Sequence, residues 1–415
     1  MICSIIALVG SIAGLGLLHT YVIYPWHMRR LAKLPQDWEP LEEFPNAIIL
    51  MAAYNEEAKI QSKIQSVFRN HYPKSRLTVV VGTDACTDGT DLLMEQMCLE
   101  YPGLRHHRFT KRTGKPGIIN QLYQEYQGKV SEATILVLTD VDAILEERTL
   151  AELVLPFSNP MVAGVQANIK PNSENSHESS NEGVFPDNVV AQELRYMEGE
   201  MLSKQGESRK GSVIGGYGAL MAMRWERFEP SPDGLLVDDF FWFARLLQER
   251  DSQVVFAEKA VARMPLEGSR AIQFRRKRRL GKGNLQNLWI FRSLLFYRKT
   301  AYCYISHKAL RWLSPWFLLA CYGSCSAFIA MHWPMGENYS FALNWLALSL
   351  VLPVGFKLLT LPFLRWKPFK TRFHWVEHFL LMNFALALGA FDLIFKPNRH
   401  VWWDNHKAST PNPKV

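Results

Sequence analysis

The chain has 415 residues, 48% hydrophobic and 21% charged, with 24 Phe, 13 Trp and 14 Tyr, which excludes a small stapled scaffold and a disordered chain. Its 47 Lys and Arg against 39 Asp and Glu leave a net charge of +8, a modest excess that suits phosphates, anionic lipid or nucleic acid without choosing among them. The six cysteines form no C-x-x-C and no Cys/His ladder, so neither a zinc site nor a disulfide framework is indicated and a reducing compartment is expected.

Residues 1–26 carry no Asp, Glu, Lys or Arg and end in Tyr21, Tyr24, Pro25 and Trp26, ahead of Arg29, Arg30 and Lys33. A bilayer crossing needs ~20 apolar residues with aromatic and basic flanks. Neither a basic start nor a small-residue cleavage site is present, so residues 1–28 are expected to be an uncleaved transmembrane anchor, with the domain after Arg29 in the cytoplasm.

Residues 45–288 read as a soluble α/β domain. The continuously apolar runs Ala47–Ala53, 77–81 and 134–139 predict buried parallel strands, and residues 56–70 and 88–100 have helical spacing between them. Functional residues of such sheets gather at the carboxyl ends of the strands. The first strand leads into Tyr54-Asn55-Glu56-Glu57, where the Asn can cap a helix and the acids favour its first turn. The second leads into Gly82-Thr83-Asp84-Ala85-Cys86-Thr87-Asp88-Gly89-Thr90. Asp84 suits a nucleobase N–H, Asp88 has the position of an N-cap, and Cys86, with no His or Lys beside it, is a packed loop residue. Arg112-Thr113-Gly114-Lys115 is a basic loop of a kind that meets a diphosphate, without the spacing of a P-loop. The third strand delivers Asp140-Val141-Asp142, whose alternation turns both carboxylates to one side, where they can reach a divalent cation.

The polar stretch 172–182 is expected to be a mobile surface loop. Gly215-Gly216-Tyr217-Gly218-Ala219 allows backbone to approach a ligand, and Asp238-Asp239 precedes an aromatic run that could raise a carboxyl pKa toward that of a general base. A helix N-terminus accounts for the same acidic pair. Residues 275–282 place six cations in eight positions, expected to meet lipid headgroups or a substrate diphosphate rather than nucleic acid.

Residues 289–312 are taken as interfacial and 313–395 as membrane segments, with a basic tail over 396–415. Residues 313–333 and 338–356 are predicted spans. Between Glu377 and Asp392 only 14 residues lack an acidic or strongly basic side chain, so this third run is expected to lie at the interface, leaving the C-terminus inside. No internal repeat appears, which disfavours an inverted-repeat transporter.

In this order the pieces resemble membrane-bound family 2 glycosyltransferases of bacterial polysaccharide and glycan synthesis. The motifs are A-A-Y-N-E-E at 52–57, T-D-A-C-T-D-G-T at 83–90, G-K at 114–115 with Asn120 after it, T-D-V-D at 139–142, G-G-Y-G-A at 215–219, D-D at 238–239 and R-R-K-R-R-L-G-K-G-N-L-Q at 275–286. The resemblance implies a GT-A nucleotide-diphospho-sugar transferase domain with transmembrane helices at both ends, in the cell's inner or plasma membrane. It implies a nucleotide pocket at Tyr54, Glu56, Asp84, Lys115 and Asp140, and Mg2+ or Mn2+ at Asp140 and Asp142. Asp239 would be the catalytic base beside Asp238, Gly216, Tyr217, Gly218 and Ala219 would border the acceptor, and Arg276 and Arg279 would bind the diphosphate. The expected reaction is an inverting transfer from a nucleotide sugar, most naturally a UDP-sugar, to a glycan or lipid-linked acceptor at the membrane. The family's processive pattern Q-x-x-R-W stands here as Arg276-Lys277-Arg278-Arg279-Leu280, which favours short additions over a processive polysaccharide synthase. A nucleotidyltransferase or an inactive membrane adaptor would share the fold; the acidic pair at 238–239 and the anchor argue against the first, and the intact acidic positions against the second.

Overall fold

The computed structural model describes residues 2–131, 133–172, 187–249, 251–266, 269–297, 300–332 and 367–395, with side chains at all of these except 187–191, 329–332 and 367–377. The expected loop at 172–182 falls almost wholly outside the described residues, as do the predicted span 338–356 and the tail 396–415. The chain divides into two compact units, one of residues 27–273, 286–304 and 398–415, the other of residues 1–26, 274–285 and 305–397.

The first unit is built on an eight-stranded sheet: β1 Ala47–Ala53, β2 Leu77–Asp84, β3 Leu104–Phe109, β4 Ile135–Thr139, β5 Ile144–Leu145, β6 Val162–Pro171, β7 Leu220–Arg224 and β8 Gln253–Met264. Their order across the sheet is β3-β2-β1-β4-β7-β6-β8-β5. The first four run parallel, which requires cover on both faces and explains the unbroken apolar runs. Ile48, Ile49 and Leu50 are at most 1% exposed, each contributing about 1.5–3 kcal/mol by burial. Most of α2 Tyr24–Leu31 belongs here too, and helices α3 Glu57–Phe68, α4 Thr90–Glu100, α5 Gly114–Tyr126, α6 Thr149–Val154, α7 Asp187–Lys210 and α8 Asp238–Leu246 complete this unit. α3 buries Ile60, Ile64 and Val67 at the spacing of one helical face.

β7 breaks the parallel pattern. It pairs antiparallel with β4, Thr139 facing Leu220, so its first residues lie beside the last residues of β4. β6 lies antiparallel to β7 and parallel to β8. β6 and β8 are partly polar, as in Gln166, Asn168 and Lys170 of β6, and β3 reads Leu-Arg-His-His-Arg-Phe, whereas β7, Leu-Met-Ala-Met-Arg, is a short apolar run that sequence analysis passed over.

The second unit gathers α1 Ile2–Leu18, most of α9 Arg270–Ile290, α10 Ser314–His332 and α11 Lys367–Phe395. Two described helical stretches, Ile2–Leu31 and His378–Phe395, are long and apolar enough to cross a membrane. The helix of the third C-terminal run continues past Asp392 to Phe395. α11 is a single 29-residue helix, and Asp392 is buried in a two-bond pair with Arg278 of α9, at 2.5 and 2.8 Å. Neutralising an acid in this way lets an apolar helix run through it. The pair also commits one cation of the 275–282 run to the protein itself. α9 and α11 touch backbone to backbone beside it, because a Cβ on Gly389 would collide with the Arg278 carbonyl and one on Gly281 with that of Leu386. Gly10 of α1 likewise leaves a would-be Cβ only 2.9 Å from Ser324 Cβ of α10. Ser314 accepts from the Tyr21 hydroxyl at 3.0 Å and donates to Asn383 at 2.5 Å, satisfying polar groups among these helices.

Gly389→Val should therefore lower thermal stability in detergent by about 1–3 kcal/mol or more, the scale of forced overpacking. Gly323→Val, where a Cβ meets nothing within 4 Å, is the control expected to melt near wild type.

Candidate active site

Three parallel strands end side by side, since β1 pairs with both β2 and β4. The chain leaves β1 through Asn55 at φ 52°, a left-handed turn that Asn tolerates better than most residues. Asn55 is no helix cap. Its side chain accepts from the Thr87 backbone N–H at 2.9 Å and donates to the Thr87 hydroxyl at 3.1 Å, tying the first motif to the second. Asp88 caps two helices together, accepting from Glu57 N–H at 3.2 Å and Thr90 N–H at 3.1 Å, while Glu57 accepts from Gly89 N–H at 2.9 Å.

Asp84 is 2% exposed and commits its carboxylate to the loop after β3. Thr113 N–H and Gly114 N–H each donate to it at 2.8 Å, and the Arg112 guanidinium lies 3.0 Å away. The same guanidinium covers the Tyr54 ring, 3.3 Å from its centroid, a cation–π contact. Tyr54, Asp84 and Arg112 thus form one wall at the ends of β1 and β2. Arg112, from the basic loop 112–115, is thereby part of this wall.

β4 delivers Asp140 and Asp142. Lys115, at the start of α5, places its ammonium 2.5 Å from Asp140 and 3.5 Å from the Gly218 carbonyl. The antiparallel β7 explains how residues nearly eighty positions later reach this point: Asp140 N–H donates to the Ala219 carbonyl at 3.1 Å, and the Thr139 hydroxyl donates to the same oxygen at 2.7 Å. The loop leading into β7 is held to the start of α8. Gly218 N–H donates to the Asp239 carboxylate at 3.0 Å, Gly216 N–H to the Asp239 carbonyl at 3.2 Å, and Phe240 N–H to the other Asp239 carboxylate oxygen at 2.7 Å. Gly215 has φ 80°, and a Cβ there would enter the Phe240 ring, so only glycine fits.

Buried polar side chains clamp this loop from behind. Gln166 of β6 accepts from Tyr217 N–H at 2.6 Å and donates to the Leu220 carbonyl at 3.1 Å. From α7, the wholly buried Lys204 donates to the Gly215 carbonyl at 2.5 Å, and Glu207 accepts from Ile214 N–H at 2.9 Å.

The electrostatics arise from crowding acids beside two lysines. Burial raises the Glu56 carboxyl pKa against the pull of Lys59, with Asp142 and Asp140 pushing it further up. Burial and then the Asp140 charge raise Asp142. Asp238 is raised by burial, Lys115 working against the shift and Asp239 and Asp140 with it; one of its oxygens has no hydrogen-bond partner among the described residues. Burial pulls the Lys115 ammonium down, yet Asp140, Asp238 and Asp239 together hold it above the ordinary lysine range. Lys63 of α3 is wholly buried, donating to the Thr139 hydroxyl at 2.8 Å and to the Ala143 carbonyl. Desolvation pulls it down to about 7, with Asp140 and Asp142 opposing.

No group of three His, Cys, Asp or Glu suited to hold a metal occurs among the described residues. Asp140 and Asp142 are hard oxygen donors, with Glu56 inside their field. That set fits a hard divalent cation whose remaining ligands are phosphate and water.

The model of the family described as glycosyltransferase like family 2 matches residues 45–283, more than half of the chain. The chain belongs to this family. Among its curated relatives, a beta-monoglucosyldiacylglycerol synthase of Synechocystis sp. is 28% identical over 148 residues, 34% of this chain and 30% of that protein. A probable glycosyltransferase of Bacillus subtilis is 27% identical over 135 residues, 32% of this chain and 31% of that protein. The matched stretch spans less than a third of either relative. A solved mannosyltransferase from Pyrobaculum calidifontis, in complex with GDP-Man and Mn2+, shares the fold at a TM-score of 0.62 and 21% identity, over 93% of this chain and 99% of that one.

The glycosyltransferase fold brings Tyr54, Glu56, Asp84, Lys115, Asp140, Asp142, Gly216 to Ala219, Asp238 and Asp239 to one edge of the sheet. Arg276 and Arg279 lie on α9 in the other unit. Gln166, Lys204, Glu207 and Lys63 escaped sequence analysis. One signal for Lys63 was present: it falls on the apolar face of α3, between Ile60 and Ile64, where a cation requires a partner.

A pKa depressed to about 7 has a consequence for stability. Between about pH 7 and the ordinary lysine value of 10.5, the unfolded chain holds a proton that folded Lys63 has released. Stability therefore rises with pH through that window, and below it the cost of burying the charge is present in full. Relative to wild type, Lys63→Met should flatten the rise of melting temperature between pH 7 and 10.

Proposed function

We propose that this glycosyltransferase moves a sugar, with inversion, from a nucleoside diphosphate to a hydroxyl of a glycan or lipid-linked acceptor presented at the membrane. The observation that carries the reading is the joining of two acidic pairs through Lys115, which touches Asp140 and lies in the field of Asp238 and Asp239. Donor chemistry and base chemistry then share one edge of the sheet.

Tyr54 and Arg112, with Asp84 holding the wall from behind, would receive the nucleotide of a UDP-sugar, and Lys115 would meet the diphosphate. Asp140 and Asp142 would hold Mg2+ or Mn2+, which when bound supplies charge neutralisation for the leaving diphosphate. Asp239 takes the acceptor hydroxyl proton as the new oxygen–carbon bond forms at the anomeric carbon and the carbon–oxygen bond to the diphosphate breaks. Gly218 N–H and Phe240 N–H fix the orientation of that carboxylate, and direct displacement needs no covalent glycosyl-enzyme. Gly216 to Ala219 would border the acceptor. The name of the Synechocystis relative, a beta-monoglucosyldiacylglycerol synthase, supports a lipid acceptor, the two apolar helical stretches support a membrane location, and Arg29, Arg30 and Lys33 after the first of them support a catalytic domain in the cytoplasm. The altered Q-x-x-R-W positions favour short additions within polysaccharide or glycolipid assembly.

Asp239→Asn should leave donor binding near normal and reduce transfer by a factor on the order of 10² or more, with Asp238→Asn the milder change. If Asp238→Asn is the inactive variant, the base is assigned one residue too late. Asp142→Asn should abolish turnover of the folded protein, and EDTA should abolish wild-type activity in a way that Mn2+ restores. Full turnover in EDTA would refute the metal part of this reading.

A further inference from the structure

Lys63 has no part in the proposed chemistry, yet its placement is the least expected in the molecule. It is 0% exposed on a face of α3 otherwise made of Ile60, Ile64 and Val67. Both of its hydrogen bonds go to the segment that carries the two metal-facing acids. One reaches the Thr139 hydroxyl at 2.8 Å, the residue before Asp140, and the other the Ala143 carbonyl, the residue after Asp142. Thr139 in turn donates to the Ala219 carbonyl at 2.7 Å, so the side chain of Lys63 is linked through one hydroxyl to the strand that opens the acceptor loop. A lysine amine keeps two N–H groups even when neutral, enough for both bonds in either protonation state.

We propose that Lys63 is a positioning residue, a buried bracket that grips both ends of the Asp140–Asp142 turn and holds its carboxylates in the geometry that receives the cation and diphosphate. Two carboxylates two residues apart repel each other, and a turn held at both ends cannot relieve that repulsion by splaying. A bracket acting through hydrogen bonds predicts weaker cation binding when it is removed. A residue acting only through its charge predicts the reverse, because a nearby positive charge opposes a cation. A residue that only supports the fold predicts loss of stability with Mn2+ binding unchanged in the folded variant, because the buried Thr139 and Ala143 acceptors lose their donor.

This proposal rests on the metal-dependent reading of the site, and the test separates the two. Mn2+ binding is measured by electron paramagnetic resonance in the presence of UDP and of GDP, for the full-length wild type and Lys63→Met in detergent, alongside melting temperature and the Mn2+ dependence of transfer. Wild type should bind Mn2+; its failure to do so with either nucleotide overturns the metal reading and this proposal with it. Folded Lys63→Met should bind Mn2+ about tenfold more weakly at pH 7, within the range for supporting partners of metal ligands, and need correspondingly more Mn2+ for half-maximal rate. Unchanged or tighter Mn2+ binding by folded Lys63→Met overturns the bracket. If Lys63→Met does not fold, Thr139→Val, which withdraws one acceptor and leaves the amine in place, decides in the same way: weakened Mn2+ binding supports the bracket and unchanged binding refutes it.

Discussion

The antiparallel pairing of β7 with β4 is the constraint on which the site depends. A parallel sheet alone would place the ends of β1, β2 and β4 together and leave the Gly-rich loop and the second acidic pair elsewhere. With Thr139 opposite Leu220, the start of β7 meets the end of β4, and the chain arriving at β7 must pass beside Asp140. The start of α8 is then fastened to that loop through Asp239. One strand direction therefore joins the acids suited to a donor diphosphate to the acids suited to an acceptor hydroxyl.

Such crowding of carboxylates opposes folding, since each burial raises the cost of ionisation and each acid raises its neighbours. The structure offsets part of this with Lys115 on the open side and Lys63 on the buried side. Neither cation is free to move. Lys115 is held by Asp140 and directed toward the Gly218 carbonyl, and Lys63 is enclosed by apolar residues of α3. The result is a site whose charges are set before any ligand arrives, the condition under which electrostatic stabilisation of a leaving group costs least reorganisation.

The polar residues behind the acceptor loop obey the same logic. Gln166, Lys204 and Glu207 are buried, and each hydrogen-bonds a backbone group of that loop. A loop of Gly215, Gly216 and Gly218 has little intrinsic preference for one shape. Its conformation must come from neighbours, and these three side chains with Asp239 supply it.

The sequence by itself determined the parallel half of the sheet and the residues at its edge. β1, β2 and β4 are legible because strands covered on both faces need unbroken apolar runs, and Tyr54, Asp84, Asp140 and Asp142 because polar residues directly after such runs stand at the sheet's carboxyl edge. The acidic pair at 238–239 and the glycines at 215–218 were legible as motifs, without a location. Only the tertiary structure decided the rest. β3, β6 and β8 carry polar or mixed residues whose place depends on partners far along the chain, so no local period announces them, and β7, apolar over its first four residues, carries no sign of its antiparallel direction. Arg112 lies over the ring of Tyr54 beside Asp84, twenty-eight positions earlier, a partnership the basic loop does not announce. Asp392 looked like the end of an apolar segment until Arg278 stood opposite. Lys63 stands on the apolar face of an amphipathic helix, and its partners, a hydroxyl and a carbonyl some eighty residues away, come only with the fold. In each case a charge's role is set by what neutralises it, and that partner is brought by the fold.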